Sequence, residues 1–247
     1  MDNLKNKIAV ITGGNSGIGY ATAKQLKEQG ATVIITGRRK EAIEKAALEL
    51  NVNAIVADQS SISDIENLAS QIKENFDPID ILFINAGIAG LGTIEQATED
   101  LFDSIMNVNF KGAYFTLSRF IPILKDGASV VFLSSNTASM PGPGSSIYSS
   151  SKTALNSVMK SAALELAPRK IRVNSVSPGP TETEVMNKVG LDEATVKSIM
   201  DVVVNKVPLK QMGASADVAK MVSYLSSEAA VFITGADIIM DGGMVLS

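Results

Sequence analysis

The chain has 247 residues, 45% of them hydrophobic, and its 22 basic and 26 acidic side chains give a formal net charge of −4. With no basic block and no apolar run of roughly 18 residues, neither a nucleic-acid partner nor a membrane span is expected. The sequence contains neither Cys nor His, which excludes disulfides, thiol nucleophiles, Ser-His-Asp triads and the usual transition-metal sites.

The N-terminal residues lead directly into the first predicted strand. Only Met1 to Lys7 precede the apolar run that starts at Ile8, and this leaves no room for a signal or transit peptide. We therefore expect a cytoplasmic protein.

Seven short runs rich in β-branched and apolar residues have the length of buried strands. They are Ile8–Ile11, Thr32–Thr36, Ala54–Ala57, Ile79–Ile84, Ser129–Leu133, Ile171–Val176 and Asp237–Met240. Segments with helical spacing lie between them, at Ala21–Gln29, Glu41–Leu50, Ile62–Phe76, Ser146–Leu166 and Ala216–Ser226. Since parallel strands are normally joined by a helical crossover, the alternation predicts one α/β domain over residues 1–247 with a mainly parallel sheet.

A glycine-rich turn follows the first predicted strand and opens the first predicted helix. It reads Thr12-Gly13-Gly14-Asn15-Ser16-Gly17-Ile18-Gly19. Glycines permit a tight turn and close backbone approach, so the N–H groups and dipole of the next helix can meet a pyrophosphate. The turn predicts dinucleotide binding, with a purely structural turn as the alternative. The candidate binding residues are Gly13, Asn15, Ser16, Gly17, Ile18 and Gly19.

Two side chains suited to acid–base chemistry, Tyr148 and Lys152, lie four residues apart in a strongly helical segment. Their spacing places them on one face, about one turn apart. A phenol has a pKa near 10, and a neighbouring ammonium favours the phenolate. Taken alone, such a pair is usually only a surface pair.

These motifs, in this order, resemble the short-chain dehydrogenase/reductase family over essentially the whole chain. The shared motifs are the Thr12–Gly19 turn, Asn85-Ala86-Gly87, Asn109, Ser135, Tyr148-x-x-x-Lys152, Pro178-Gly179 and Asp241-Gly242-Gly243. One departure is Ile84, where the family often has a further Asn. The resemblance implies a Rossmann-type, doubly wound, seven-stranded sheet with helices on both faces. It also implies hydride transfer between a nicotinamide and a ketone or secondary alcohol.

The resemblance also implies roles for individual residues. Tyr148 is the general acid in reduction and the base in oxidation, and Ser135 donates a hydrogen bond to the substrate oxygen, with Ser134 as its competitor. Asn109 supports a water next to Lys152 in a proton relay. The pocket for the cofactor would be lined by Asn85, Ala86, Gly87, Tyr148, Lys152, Pro178, Gly179, Thr181 and Thr183, with Thr183 bonding the carboxamide. Asp58 resembles the contact to the adenine amino group; the alternative is that it caps the next helix.

The end of the second predicted strand favours NADPH over NADH. In this fold that strand end meets the adenosine ribose, where NAD-specific relatives place a carboxylate. Gly37 removes that repulsion, Arg38 offers a fork of donors suited to a 2′-phosphate, and Arg39 adds charge. Asn15 resembles a further donor to the same phosphate. Alternatively, both arginines are solvated charges at the start of the next helix.

The substrate is expected to be a small hydrophobic ketone or alcohol, because apolar residues such as Leu91, Met140 and Ile147 occur in the variable segments; these could equally be core residues. Gly179–Lys210 is predicted to be a substrate lid, with an ordinary surface helix pair as the alternative. Two other functions share the motifs: a 3-oxoacyl-[acyl-carrier-protein] reductase, and a non-catalytic dinucleotide-binding redox sensor. The resemblance implies a homotetramer, formed through the helices that carry Asn109 and Tyr148 and through the last strand.

Overall fold

A computed structural model of the protein describes residues 4–76, 78–182 and 201–247. Its strands are β1 (Ile8–Thr12), β2 (Thr32–Gly37), β3 (Asn53–Val56), β4 (Ile79–Ile84), β5 (Leu124–Leu133), β6 (Arg172–Pro178), β7 (Thr181–Glu182), β8 (Gly213–Ala214) and β9 (Asp237–Met240). Seven of these form the main, parallel sheet, in the order β3-β2-β1-β4-β5-β6-β9. The chain order reverses between β1 and β4, which is the doubly wound arrangement, and the predicted seven-stranded Rossmann-type sheet is confirmed.

Helices cover both faces of this sheet. They are α1 (Gly17–Glu28), α2 (Lys40–Leu50), α3 (Ile62–Phe76), α4 (Glu99–Met106), α5 (Ala113–Phe120), α6 (Ser146–Leu166) and α7 (Ser215–Ser226), and residues 201–206 are also helical. Side chains alternate along each strand, so β1 sends Ala9 and Ile11 to one layer and Val10 to the other. The first layer contains α1, α2 and α7, and the second contains α3, α5 and α6.

Three local features differ from the sequence-based expectations. Helix α1 begins at Gly17 and not at Ala21, so the end of the glycine turn is itself the first turn of the helix. Strand β5 begins five residues earlier than predicted, at Leu124, and its pairing with β4 shifts register between Ile79 and Ile81. The helix expected around Asn109 is a π-helical segment, Asn107–Gly112, between α4 and α5.

A second, two-stranded parallel sheet pairs β7 with β8 and joins the end of β6 to the start of α7. Among residues 4–76, 78–182 and 201–247, no helix is both long and apolar enough to cross a membrane. The same ranges contain no cluster of acidic side chains that could hold a metal ion.

Candidate active site

A cleft of about 490 Å³ lies at the carboxyl ends of β1, β2, β4 and β5. This is where open parallel sheets bind ligands, because the chain order reverses there. Most of the predicted cofactor residues line it: Gly13, Asn15, Ser16, Gly17, Ile18, Gly37, Arg38, Arg39, Asp58, Asn85, Ala86 and Gly87. Six further lining residues carry no recognisable signal in the sequence: Thr36, Ala57, Gln59, Ile88, Val108 and Leu133.

The glycine turn adopts backbone conformations that side chains disfavour. Gly13 and Gly17 have φ of 68° and 55°, in the left-handed region that glycine tolerates at little cost. Gly19 has a different role from the cleft-lining glycines, because a Cβ there would lie 2.2 Å from the carbonyl oxygen of Gly13. Gly19 therefore lets α1 pack directly against the turn.

The start of α1 is open to an anionic group. Its N-cap residue, Ser16, has an extended backbone, and within the described part of the chain its side chain makes no capping hydrogen bond. The first turn contains no acidic residue, so its N–H groups and the positive end of the helix dipole lack a negative partner from the helix itself. This end of the cleft fits a pyrophosphate.

Asn85 supports the glycine turn from the end of β4. Its Nδ2 donates to the carbonyl oxygens of Thr12 and Gly13, at 2.8 and 3.0 Å. The Thr12 hydroxyl in turn accepts hydrogen bonds from the backbone N–H groups of Asn85 and Ala86, both at 3.0 Å. The buried Asn85 side chain thus fixes the turn, a role that its place in the motif alone did not specify.

The end of β2 provides space and positive charge. A Cβ on Gly37 would lie 3.2 Å from Oδ1 of Asn15, so these two residues are neighbours, as expected for a shared phosphate site. Arg38 and Arg39 are both exposed, and both line the cleft. Arg39 is the N-cap residue of α2, which also agrees with the alternative of solvated charges at a helix start.

Asp58 lines the cleft but forms a local turn. Its Oδ1 accepts hydrogen bonds from the backbone N–H of Ser60 at 2.8 Å and from the Ser60 hydroxyl at 2.7 Å. Its own N–H donates to Asp64 at 3.0 Å. Asp58 therefore does not cap α3: the Ser61 Oγ accepts from the Asp64 N–H at 3.2 Å and caps that helix, while Asp58 lines the cleft.

Tyr148 and Lys152 lie together on α6, beside the end of β5. The Lys152 Nζ is 5.8 Å from the centroid of the Tyr148 ring. Lys152 is only 3% exposed, and its ammonium donates to the carbonyl oxygen of Leu133 at 2.8 Å. Lys152 is therefore buried, and Tyr148 beside it is half-buried.

Of the two candidate serines after β5, Ser135 is the one that acts on Tyr148, because it lowers the pKa of the phenol against the larger effect of burial. Ser134 points elsewhere, and its hydroxyl donates to the Lys152 carbonyl at 3.4 Å. The Ser135 Oγ accepts hydrogen bonds from the Thr137 N–H and hydroxyl, at 3.2 and 3.0 Å. Because Thr137 occupies its acceptor positions, the Ser135 hydroxyl is left to donate its proton toward Tyr148 or a ligand oxygen.

Burial controls the ionisation of this pair. It raises the pKa of Tyr148 above 10.0, and the hydrogen bond with Ser135 only partly offsets that rise. Burial also lowers the pKa of Lys152 from 10.5 to about 8. Burial therefore outweighs the lowering of the Tyr148 pKa that the neighbouring ammonium was expected to cause, and Tyr148 holds its proton at neutral pH.

Asn109 is held rigidly by the loop after β4. Its Oδ1 accepts from the Ile88 N–H at 2.8 Å, and its Nδ2 donates to the Ile88 carbonyl at 2.9 Å and to the Ser151 hydroxyl at 3.2 Å. Gly87 lies between Asn109 and Lys152, since a Cβ there would be 3.3 Å from Asn109 Oδ1 and 3.4 Å from Lys152 Nζ. The side chains of Asn109 and Lys152 therefore lie close together, next to Gly87. The contact with Ser151 was missed by the sequence analysis, although Ser151 lies directly before Lys152.

Pro178, at the end of β6, and Gly179 and Thr181 after it are not among the described residues that line this cleft. The Gly179 N–H donates to the Met240 carbonyl at 2.9 Å, and the Thr181 hydroxyl donates to the Gly179 carbonyl at 3.0 Å. Pro178 ends β6 beside Met240 of β9. Thr183 and residues 183–200 of the predicted lid lie outside the described residues.

Comparison with known proteins finds relatives that match nearly the whole chain. Residues 13–245 match the family model described as "Enoyl-(Acyl carrier protein) reductase". The chain is 34% identical over 253 residues to a versicolorin reductase of Emericella nidulans, covering 97% of this chain and 96% of that protein. It is also 34% identical over 250 residues to human dehydrogenase/reductase SDR family member 4, covering 98% and 88% of the two chains.

Solved structures show the same fold. A short-chain dehydrogenase/reductase from Brucella melitensis, titled glucose/ribitol dehydrogenase, superposes with a TM-score of 0.92 at 31% identity, covering 98% of each chain. A short-chain dehydrogenase/reductase from Serratia marcescens superposes with a TM-score of 0.91, also at 31% identity, and covers 98% and 99% of the two chains. The chain therefore belongs to the short-chain dehydrogenase/reductase family of oxidoreductases.

Proposed function

We propose that the protein is an NADPH-dependent carbonyl reductase in which Tyr148 protonates the substrate oxygen. The observation that carries this proposal is the position of the buried Lys152 ammonium beside Tyr148, with Nζ 5.8 Å from the centroid of the ring. Tyr148 keeps its proton because burial raises its pKa, and the Ser135 hydroxyl is oriented as a donor by Thr137. Two adjacent hydroxyl donors are suited to an oxygen that gains negative charge.

This geometry favours reduction of a carbonyl group. A carbon–carbon double bond offers no oxygen at the reacting atoms for two hydroxyl groups to bind, whereas a carbonyl oxygen can accept from both. The name of the Emericella nidulans relative also contains the word reductase. A 3-oxoacyl-[acyl-carrier-protein] reductase would perform the same chemistry and differs only in what carries the ketone. A redox sensor would have no need of the complete set of Ser135, Tyr148 and Lys152.

The family uses nicotinamide dinucleotides, which supply the hydride when bound. The first turn of α1 and the glycine turn would hold the pyrophosphate, and the open N-terminus of α1 supports that fit. Asn85 keeps the turn in shape. Lys152 and Asn109 would border the reacting end of the site and resupply a proton to Tyr148.

The preference for NADPH rests on the end of β2. Gly37 leaves space beside Asn15, and two exposed arginines line the adjoining wall of the cleft. A guanidinium binds phosphate through a planar fork of donors. The proposal also includes a cytoplasmic homotetramer and a small hydrophobic ketone or alcohol as the substrate.

The proposal is tested by measuring kcat/KM with NADPH and with NADH over a panel of ketones, diketones and acyl thioesters. Arg38→Ala should weaken NADPH by about 10- to 100-fold and affect NADH much less, since a hydrogen bond to a charged group contributes about 1.5–3 kcal/mol. Arg119→Ala is the matched control, because Arg119 pairs with Glu66, away from the cleft. If kcat/KM in the unmodified enzyme were equal for the two cofactors or higher for NADH, the assignment of NADPH would be wrong. If activity were low with every carbonyl compound, the proposed reaction would be wrong.

A further inference from the structure

Asn136 lies directly after Ser135 and begins a short 3-10 turn, Asn136–Ala138, for which Ser135 is the N-cap residue. Asn136 is 4% exposed. Its backbone carbonyl accepts hydrogen bonds from the N–H groups of Ser139 and Met140, both at 3.0 Å. The orientation of Asn136 is therefore tied to the path of the chain at Ser135.

The side chain of Asn136 contacts residues near the C-terminal end of the sequence. Its Nδ2 donates to Oδ2 of Asp241 at 3.4 Å and lies 3.8 Å from the sulfur of Met244. Asp241 directly follows β9 and is 8% exposed. The contact thus joins the segment after β5 to the residue that directly follows β9, across 105 positions of sequence.

Asp241 also organises the C-terminal turn. Its Oδ1 accepts from the Gly243 N–H at 2.9 Å, and its Oδ2 accepts from the Val245 N–H at 2.8 Å. These two bonds fix the carboxylate, so Oδ2 is held in place to receive the Asn136 amide. A buried carboxylate with three donors is a rigid anchor.

Gly179 packs against both Asn136 and Asp241. A Cβ on Gly179 would lie 2.5 Å from Cβ of Asp241 and 3.3 Å from Nδ2 of Asn136, so the backbone after β6 packs directly on the pair. The carboxyl ends of β5, β6 and β9 therefore meet at the contact between Asn136 and Asp241.

We propose that Asp241, acting through Asn136, is a positioning residue that holds the Ser135 hydroxyl against Tyr148; this rests on the proposed function. Neither Asn136 nor Asp241 needs to touch a reacting atom. When the amide loses its carboxylate, the turn at Asn136–Ala138 loses its anchor and Ser135 moves away from Tyr148. Small displacements at a reacting centre are costly because catalysis depends on alignment.

Two substitutions break the contact from opposite sides. Asn136→Ala removes the amide, and Asp241→Asn keeps the size of the other side chain while replacing one of its two oxygens with a donor. The matched control is Asn174→Ala, because Asn174 is also fully buried and its side chain bonds Ile233 and Ala236 at the opposite end of β6. All three variants should lose stability, and only the first two should affect the site.

The first readout does not depend on turnover. With tyrosine labelled with carbon-13 at Cζ, the four tyrosines give separate resonances, and Tyr148 is assigned by its absence in Tyr148→Phe. In Asn136→Ala and Asp241→Asn this resonance should move toward its position in Ser135→Ala, and in Asn174→Ala it should stay in place. The second readout is kcat, which should fall by about 3- to 30-fold in the first two variants while KM changes less.

The inference is overturned if the Tyr148 resonance and kcat in both variants match the unmodified protein, or if Asn174→Ala changes them equally. If Asn136→Ala does not fold, Asp241→Asn decides by the same two readouts. Should the unmodified protein reduce no carbonyl, the proposed function fails, and the resonance still decides whether the contact positions Ser135.

Discussion

Tyr148 and Lys152 are four residues apart on α6, and burial changes the pKa of each in favour of its uncharged form. Because the pKa of Lys152 falls to about 8 while that of Tyr148 rises, Lys152 loses its proton first as the pH increases. Tyr148 is therefore the member of the pair that keeps its proton at neutral pH and can donate it. This arrangement suits an enzyme that works as a reductase near neutral pH.

The lowered pKa of Lys152 predicts a pH-dependent change in stability. The unfolded chain binds the lysine proton more tightly than the folded chain, so this group makes folding more favourable as the pH rises from about 8 to 10.5. Lys152→Met removes this contribution. The difference in unfolding free energy between the two proteins should change by on the order of 2 kcal/mol between pH 7 and pH 10.

Urea unfolding of both proteins at a series of pH values measures this difference. Lys160→Met is a suitable control, because Lys160 is exposed on the same helix. A difference that stays constant across the pH range would show that Lys152 is not desolvated in the folded protein.

At the scale of elements, α1 can pack against the glycine turn because Gly19 has no side chain. A Cβ at Gly19 would lie 2.2 Å from the Gly13 carbonyl oxygen and 2.6 Å from Asn85 Nδ2. Gly19→Ala should therefore push α1 away from the turn and disrupt the bonds that Asn85 makes. Dinucleotide affinity should fall by at least about 10-fold, since the phosphate site depends on this turn.

Affinity is measured by titrating NADPH fluorescence, with thermal unfolding as a second measurement. Gly142→Ala is the matched control, because a Cβ there meets nothing within 4 Å among the described residues. Unchanged affinity in Gly19→Ala would mean that the close packing at Gly19 does not shape the cofactor site.

The elements of the sheet were predictable because buried parallel strands are short, apolar and β-branched. β4, buried at all six positions, and α3, with its strong helical spacing, agree with their predicted bounds. The start of α1 was not predictable, since glycines indicate a turn and not a helix. The two-residue strands β7 and β8 carry no periodic pattern.

For the site, the sequence predicted residues that line the cleft but not the contacts between them. The sequence indicated which residues surround the cleft, because the motifs are local and each follows a strand. It did not indicate that Asn85 supports the turn, that Ser151 contacts Asn109, or that Asn136 contacts Asp241. These contacts join distant parts of the chain and depend on the final packing.

At the scale of the whole molecule, exposed apolar side chains lie on or next to the elements expected to form subunit interfaces. Leu164 on α6 is 78% exposed and Phe232 before β9 is 102% exposed. Phe102 on α4 and Tyr114 on α5 are about half exposed. Apolar surface of this kind often marks an interface between protein chains.

We therefore predict a homotetramer of about 104 kDa, four chains of 26.0 kDa each. Size-exclusion chromatography with light scattering measures this mass. Phe232→Asp should lower it by disrupting one set of contacts, whereas Leu48→Asp, a change at an exposed residue of α2, should not. A mass of one chain for the unmodified protein at micromolar concentration would rule out the tetramer.

The central claim is that Tyr148 transfers the proton, and Tyr148→Phe tests it most directly. The kcat for NADPH-dependent reduction of an active ketone should fall by about 10²- to 10⁴-fold, the contribution of general acid catalysis, while NADPH still binds. Tyr224→Phe, which changes an exposed tyrosine on α7, should leave kcat unchanged. If Tyr148→Phe retained near-normal kcat, another group would have to supply the proton, and the account of this site would be contradicted.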